Sequence, residues 1–173
     1  PEYYPIAPEY TLPRSDNGGA ADASKPNTDE ATNIFWFRAS ETSFLLAEAS
    51  LYGLTSGDTK ALYEEGVRKS FEEQGAVLGA YLSSTSKPRP YNSSTVSPVY
   101  PAGYSDDISE GNVSPSWDDT SGTADEVKEQ QLQKIITQKY LALYPNSVEA
   151  WTEYRRTGYP FIMKPADRAA AGR

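Results

Sequence analysis

Short patterns of serine, lysine and acidic residues are the features of this sequence that could most readily do chemistry. Ser84-x-x-Lys87 has the spacing of a serine nucleophile and a lysine base, and Ser15-Asp16-Asn17 and Arg156-Thr157-Gly158 resemble the companion motifs of penicillin-binding acyl-transfer enzymes. This chemistry requires Ser-x-x-Lys at the start of a helix, but Pro88 disfavours helix at the residue before it. The Ser-Asp-Asn triplet also stands first in the chain, out of the order of that class. We therefore interpret the three matches as coincidence.

Pairs of acidic residues could indicate a glycosidase, which places two carboxyl groups on either side of a cleft. Adjacent acids on a helix diverge around its surface, so we interpret the glutamate pairs as solvated helix faces. The Asp-, Asn- and Ser-rich stretch 106–119 offers oxygen ligands for calcium but lacks the alternation of an EF-hand loop. We expect no metal, no cofactor and no catalysis. The pairs of acidic residues are Glu64-Glu65, Glu72-Glu73, Asp106-Asp107 and Asp118-Asp119.

Composition excludes several further kinds of function. The 173 residues contain neither Cys nor His, which removes thiol nucleophiles, imidazole bases, disulfides and the usual zinc sites. The formal net charge is -8 and no basic run occurs, so we expect no nucleic-acid partner. No apolar run approaches the roughly 20 residues that span a bilayer, and no signal peptide opens the chain. Because the chain starts at Pro1, we expect any targeting signal or lipid anchor to lie upstream of it.

Aromatic residues in a long loop are the main candidates for ligand contact. Residues 83–122 are rich in Ser, Pro, Asn and Asp, and we expect this stretch to be irregular. Sugar C–H faces pack on aromatic rings, while sugar hydroxyl groups bond to nearby amides and carboxylates. The alternative is that the rings fasten the loop to the protein body. The candidate ligand-binding residues are Tyr91, Tyr100, Tyr104 and Trp117.

Helical periodicity before this loop predicts two helices. Ser40 is a candidate cap for the first helix, which we expect to end at Gly53. Asp58 is a candidate cap for the second, which we expect to end at Gly75. Because the connection between them is short, the two helices should pack antiparallel.

Two more helices are predicted after the loop. The capping box Thr123-x-x-Glu126 begins the third, and Pro145 ends it. The fourth begins at Asn146 or Ser147 and ends at Gly158. The predicted organisation is an extended arm (1–39), a helical region (40–164) that contains the irregular loop, and a frayed tail (165–173).

Two stretches of the helical region resemble the SusD/RagB family. The first carries Leu46-Ala47-Glu48-Ala49, Gly57-Asp58 and Ala61-Leu62-Tyr63-Glu64-Glu65-Gly66-Val67-Arg68-Lys69-Ser70-Phe71. The second is the more specific, and it carries Ile135-Ile136-Thr137-Gln138-Lys139-Tyr140-Leu141-Ala142-Leu143-Tyr144-Pro145 and Glu149-Ala150-Trp151-Thr152-Glu153-Tyr154-Arg155-Arg156-Thr157-Gly158-Tyr159-Pro160. The resemblance covers about residues 40–160, and the long loop matches poorly within it.

The resemblance implies a mainly α-helical, SusD-like fold with tetratricopeptide-like helical hairpins and long irregular loops. It implies a lipid-anchored protein of the outer membrane and cell surface that presents a glycan or other nutrient to a SusC-like TonB-dependent transporter. Family members have several hundred residues, and because this chain has no lipobox, no cysteine and two clear helix pairs, it resembles their C-terminal portion. It also implies packing roles for Trp151, Tyr154 and Arg155. Two alternatives stay open: a RagB-like protein that binds peptides, and a tetratricopeptide-like adaptor that binds a protein partner.

Overall fold

The computed structural model describes three segments of the chain, residues 36–88, 111–144 and 146–162, and the backbone of residues 91–92 and 105–106. Most of the predicted arm and the whole predicted tail lie outside the described residues, so their predicted extents stay predictions.

Helices account for most of the described chain, which confirms the prediction of a mainly α fold. In chain order the elements are α1 (Ala39–Leu51), α2 (Thr59–Glu73), a 3-10 turn (Tyr81–Ser83), β1 (Tyr91–Asn92), β2 (Ser105–Asp106), α3 (Ala124–Ala142) and α4 (Ser147–Thr157).

Helices α1 and α2 form the predicted antiparallel hairpin. At one end, the Ser50 hydroxyl of α1 donates to the carbonyl of Gly57 and lies 2.9 Å from the hydroxyl of Thr59 in α2. At the opposite end, Ser40 of α1 meets Glu73 of α2. The first residues of one helix therefore lie beside the last residues of the other.

The start of α1 differs from the prediction, because Ser40 is not its cap. Arg38 occupies the cap position without a capping side-chain hydrogen bond, and Ser40 lies in the first turn. Glu73 instead accepts hydrogen bonds from the Ser40 amide at 3.0 Å and the Ser40 hydroxyl at 2.6 Å. The carboxylate satisfies an amide that has no partner within the helix, and its charge suits the positive end of the helix dipole. The first helix is thus capped by the second.

The other helix ends follow the predicted local signals. The Asp58 carboxylate caps α2, and Thr123 and Glu126 form the full reciprocal capping box of α3. The side chain of Asn146 caps α4. Gly158 ends α4 in the left-handed conformation, with φ of 77°, which glycine adopts without steric cost.

The core lies where α1, α2 and α3 meet. Gly66 of α2 allows a close approach of α1, because a Cβ at this position would lie 2.7–2.9 Å from three atoms of the Phe44 ring. Dispersion and burial of apolar surface stabilise this contact. The buried core consists of Phe44, Ala47, Tyr63, Val67, Trp117, Ile135 and Ala142.

Ion pairs fasten α4 to the rest of the helices. The ammonium group of Lys139 in α3 lies 2.8 Å from the carboxylate of Glu153 in α4, and both side chains are buried. Arg156 contacts both carboxylate oxygens of Glu48 in α1, at 2.6 and 2.9 Å, and Glu153 at 2.6 Å. This bidentate geometry is the strong form of an arginine–carboxylate contact.

The described parts of the loop 83–122 include a short strand pair and a segment that lies against the helices. Strands β1 and β2 pair antiparallel, with Tyr91 opposite Asp106 and Asn92 opposite Ser105. Its last part, residues 111–122, returns to the helices and is partly buried. Prolines and small polar residues predict this stretch to be irregular because they break helices, but they do not prevent main-chain carbonyls from bonding to other elements.

Candidate functional site

Residues 111–117, which we call the return limb, are the most extensively bonded irregular segment in the described part of the chain. Here the loop comes back to the helices, and three of its main-chain carbonyl groups accept hydrogen bonds from helix side chains. A buried carbonyl without a partner would cost free energy, so these bonds account for the ability of a strand-free and helix-free segment to lie inside the fold. The pairs are Gln133 to Gly111, Lys134 to Ser114 at 2.8 Å, and Tyr63 to Pro115 at 2.7 Å.

Further bonds connect the return limb to neighbouring loop segments. The amide of Ser116 donates to the carbonyl of Ser84 at 3.1 Å, which brings the two ends of the loop together. The side chain of Asn112 exchanges two hydrogen bonds with the backbone of Phe161, at 3.0 and 3.3 Å. The two described ends of the loop are therefore hydrogen-bonded to each other, and the return limb is hydrogen-bonded to the helices.

Lys134 is the most unusual residue of this site. Its side chain is 1% exposed, and its ammonium group donates to the Ser114 carbonyl at 2.8 Å and approaches the Ser114 hydroxyl at 3.4 Å. That hydroxyl donates in turn to the Asp119 carboxylate at 2.5 Å. The pKa of Lys134 is lowered to about 8, mainly because burial disfavours the charged form; the charge of Asp119 opposes this shift and that of Lys87 adds to it.

Trp117 lies in the core. Its side chain is 8% exposed, and its ring centroid lies 5.1 Å from that of Tyr63 at an interplanar angle of 41°. This position corresponds to the alternative in which the ring fastens the loop to the protein body. The ring anchors the end of the return limb between α2 and α3, and its faces are occupied by protein.

The other three candidate ligand-binding residues are not brought together with Trp117 by any described contact. Tyr91 belongs to β1, of which the backbone alone is described. Tyr100 and Tyr104 lie outside the described residues. Ligand contact by these three tyrosines stays a prediction.

The motifs of acyl-transfer chemistry do not assemble in the described residues. Ser84 is in an extended conformation after the 3-10 turn, and its hydroxyl accepts a hydrogen bond from the amide of Ser86. Arg156 contacts Glu48 and Glu153 at the end of α4. Among the described residues, no group of three or more acidic side chains is arranged to hold a metal ion.

Residues 149–160, in the stretch with the more specific family resemblance, contribute both ion pairs and a ring contact. Glu153 accepts from Lys139 and Arg156; burial opposes its ionisation, but these bonds and charges outweigh the burial and lower its pKa. Trp151 stacks on Tyr154 with centroids 5.4 Å apart, and 55% of Trp151 is exposed. Tyr154 is thus the described ring partner of Trp151, while Arg156 and Glu153 bind α4 to its neighbours.

Sequence reasoning missed Gln133 and Lys134. Both are polar residues of α3, of the kind expected on a solvated helix face, yet both are buried. Their adjacency to the periodic apolar residues Leu132, Ile135 and Ile136 was the available signal that this side of the helix could face protein.

None of the helices in the described part of the chain is both long enough and apolar enough to cross a bilayer.

Comparison with protein families gives a match over nearly the whole chain. A model of the SusD-like family, described as the SusD and RagB outer-membrane lipoproteins, matches residues 2–173. A search of curated proteins found no match.

Several solved structures are similar to this chain. A protein named BT1043 is 52% identical, with a TM-score of 0.75 over 92% of this chain and 31% of its own. A SusD homologue from Bacteroides thetaiotaomicron, BT1281, is 36% identical, with a TM-score of 0.64 over 80% of this chain and 28% of its own. A chitin-binding SusD homologue from Flavobacterium johnsoniae is 34% identical, with a TM-score of 0.65 over 80% of this chain and 27% of its own. The chain thus spans less than a third of each of these relatives.

Proposed function

We propose that this chain, which belongs to the SusD/RagB family of outer-membrane lipoproteins, is part of a non-catalytic protein that binds a glycan at the cell surface. The observation that carries the proposal is the family match over residues 2–173. It is supported by the relative from Flavobacterium johnsoniae, which is described as chitin-binding. Because the chain spans less than a third of its relatives, the activity is proposed for the whole protein of which it forms a part.

The loop 83–122 is proposed to contribute ligand contacts. Its two described ends are bonded to each other and to α2 and α3, so the loop starts from a fixed base. Binding sites gain affinity when the contacting residues are held in place before the ligand arrives. Tyr91, Tyr100 and Tyr104 are the proposed ring contacts, and Trp117 supports the loop from the core.

Presentation to a transporter is the second part of the proposal. The family description as outer-membrane lipoproteins supports a place at the outer membrane through a lipid anchor. We propose a SusC-like TonB-dependent transporter as the partner that receives the ligand. Neither nucleic acid nor a metal is needed for this role.

The ligand class is tested with the full-length protein and a mixed panel of chitin oligosaccharides, starch oligosaccharides and peptides. We expect binding to a glycan, and we expect Tyr104→Ala to weaken it about tenfold, the effect of losing one well-packed aromatic contact. Tyr52→Ala is the matched control, because Tyr52 is a half-exposed tyrosine at the end of α1 and does not belong to the loop. Binding to peptides alone would replace glycan binding with the RagB-like alternative.

The partner is tested by gentle solubilisation of outer membranes, capture of the affinity-tagged full-length protein and mass spectrometry. We expect recovery of a lipidated protein together with a TonB-dependent barrel. Recovery of an unlipidated protein with a soluble partner and without a barrel would favour the tetratricopeptide-like adaptor and contradict the transport role.

A further inference from the structure

We propose that Lys134 is a positioning residue for ligand binding, because its contacts with Ser114 hold the return limb and thereby set the position from which the loop leaves the helices. The inference rests on the proposed function, in which this loop contributes ligand contacts. Lys134 itself touches no ligand in this proposal.

The burial of a lysine here has a physical cost that packing alone does not explain. Removing an ammonium group from water is expensive unless hydrogen bonds replace the lost hydration. A methionine would fill a similar volume without that cost. What Lys134 provides and methionine cannot is a donor that reaches the Ser114 carbonyl at 2.8 Å and lies 3.4 Å from the Ser114 hydroxyl.

The contacts of Lys134 continue into the loop. The Ser114 hydroxyl donates to Asp119, so one helix side chain fixes both a carbonyl of the return limb and the turn that follows it. Tyr63 binds the next carbonyl, that of Pro115, from α2. Two helices therefore hold consecutive residues of the limb from two directions, and rotation of the limb would break both bonds.

A second lysine that contacts the same loop provides a matched control. The ammonium group of Lys60 in α2 lies 2.5 Å from the Asp118 carboxylate, and the two side chains are 41% and 74% exposed. Exposed pairs of this kind hold their partners weakly, because water competes for both charges. Lys60→Met and Lys134→Met therefore each remove an ammonium group that contacts the loop, the first from a partly exposed position and the second from a buried one.

The limb is monitored by fluorine NMR of the full-length protein labelled with 5-fluorotryptophan. Trp117 ends the return limb, and its resonance is assigned by its disappearance in Trp117→Phe. We expect Lys134→Met to shift or broaden this resonance while the protein stays folded, and to weaken glycan binding about tenfold, as a loosened site does. Tyr63→Phe keeps the ring packing and removes only the bond to Pro115, so it should act in the same direction; Lys60→Met should leave both readouts unchanged.

The outcomes separate the inference from the proposed function. An unchanged Trp117 resonance in Lys134→Met and in Tyr63→Phe would overturn the claim that these residues hold the limb. A shifted resonance with unchanged glycan affinity would overturn the positioning role and leave glycan binding intact. If the unmodified protein binds none of the glycans, the proposed function fails and the link to binding fails with it, while the resonance still decides whether Lys134 holds the limb.

Discussion

Replacing Trp117 with alanine should lower the free energy of unfolding, because its ring packs in the core. The ring is 8% exposed and packs on Tyr63 at the junction of α2, α3 and the return limb. Truncation of a buried tryptophan to alanine costs about 3–5 kcal/mol in free energy of unfolding, which includes the loss of the aromatic pair. Against a typical total stability of about 5–15 kcal/mol, this is a large fraction.

The assay compares Trp117→Ala with Trp151→Ala in urea unfolding followed by circular dichroism. Trp151 is the matched control, because 55% of it is exposed and Tyr154 is its one described ring partner. We expect its replacement to cost no more than about 1 kcal/mol. Equal costs for the two variants, or a Trp117→Ala protein of unchanged stability that no longer binds glycan, would refute the assignment of Trp117 to the core.

Three further perturbations test the helices. Gly66→Ala should lower the free energy of unfolding by about 1 kcal/mol, because overpacking against Phe44 costs about 1–3 kcal/mol and the gain in helix propensity returns about 1 kcal/mol; thermal melts measure it. Glu153→Gln should cost about 3–5 kcal/mol, because it leaves Lys139 buried without its charged partner; urea unfolding measures it. The free energy of unfolding should rise with pH between about 8 and 10. In this range Lys134 has lost its proton in the folded protein, but in the unfolded chain Lys134 stays protonated up to its ordinary pKa of 10.5, so the unfolded state binds more protons.

Each of these has its own control. The double variant Phe44→Leu/Gly66→Ala should lose less free energy of unfolding than the sum of the two single variants. Additive losses would argue against a clash between a Cβ at position 66 and the Phe44 ring. Glu65→Gln, at an exposed position on α2 paired with Lys69, should cost far less than Glu153→Gln. The rise of stability with pH should disappear in Lys134→Met, and a rise that persists in this variant would assign it to another group.

The helices and the family could be predicted from the sequence because their signals are local. Asp58, Asn146 and the Thr123–Glu126 box satisfy helix amides within three residues of themselves, so each signal is complete in a short window. The resemblance also identified the family correctly, since it rested on continuous runs such as 149–160. Phe44, Ala47, Tyr63 and Val67 stand at helical spacing in the sequence, and they belong to the buried core.

The tertiary structure alone decided the features that join distant residues. The cap of α1 comes from Glu73, 33 residues from Ser40, and the partner of Lys134 lies 20 residues away, in a segment with no periodic pattern. Whether a lysine faces water or a buried carbonyl, and whether a loop tryptophan faces a ligand or Tyr63, depends on how the elements pack. Local sequence specifies which backbone groups a residue can satisfy nearby, and only the packed fold determines which distant groups come within hydrogen-bonding distance.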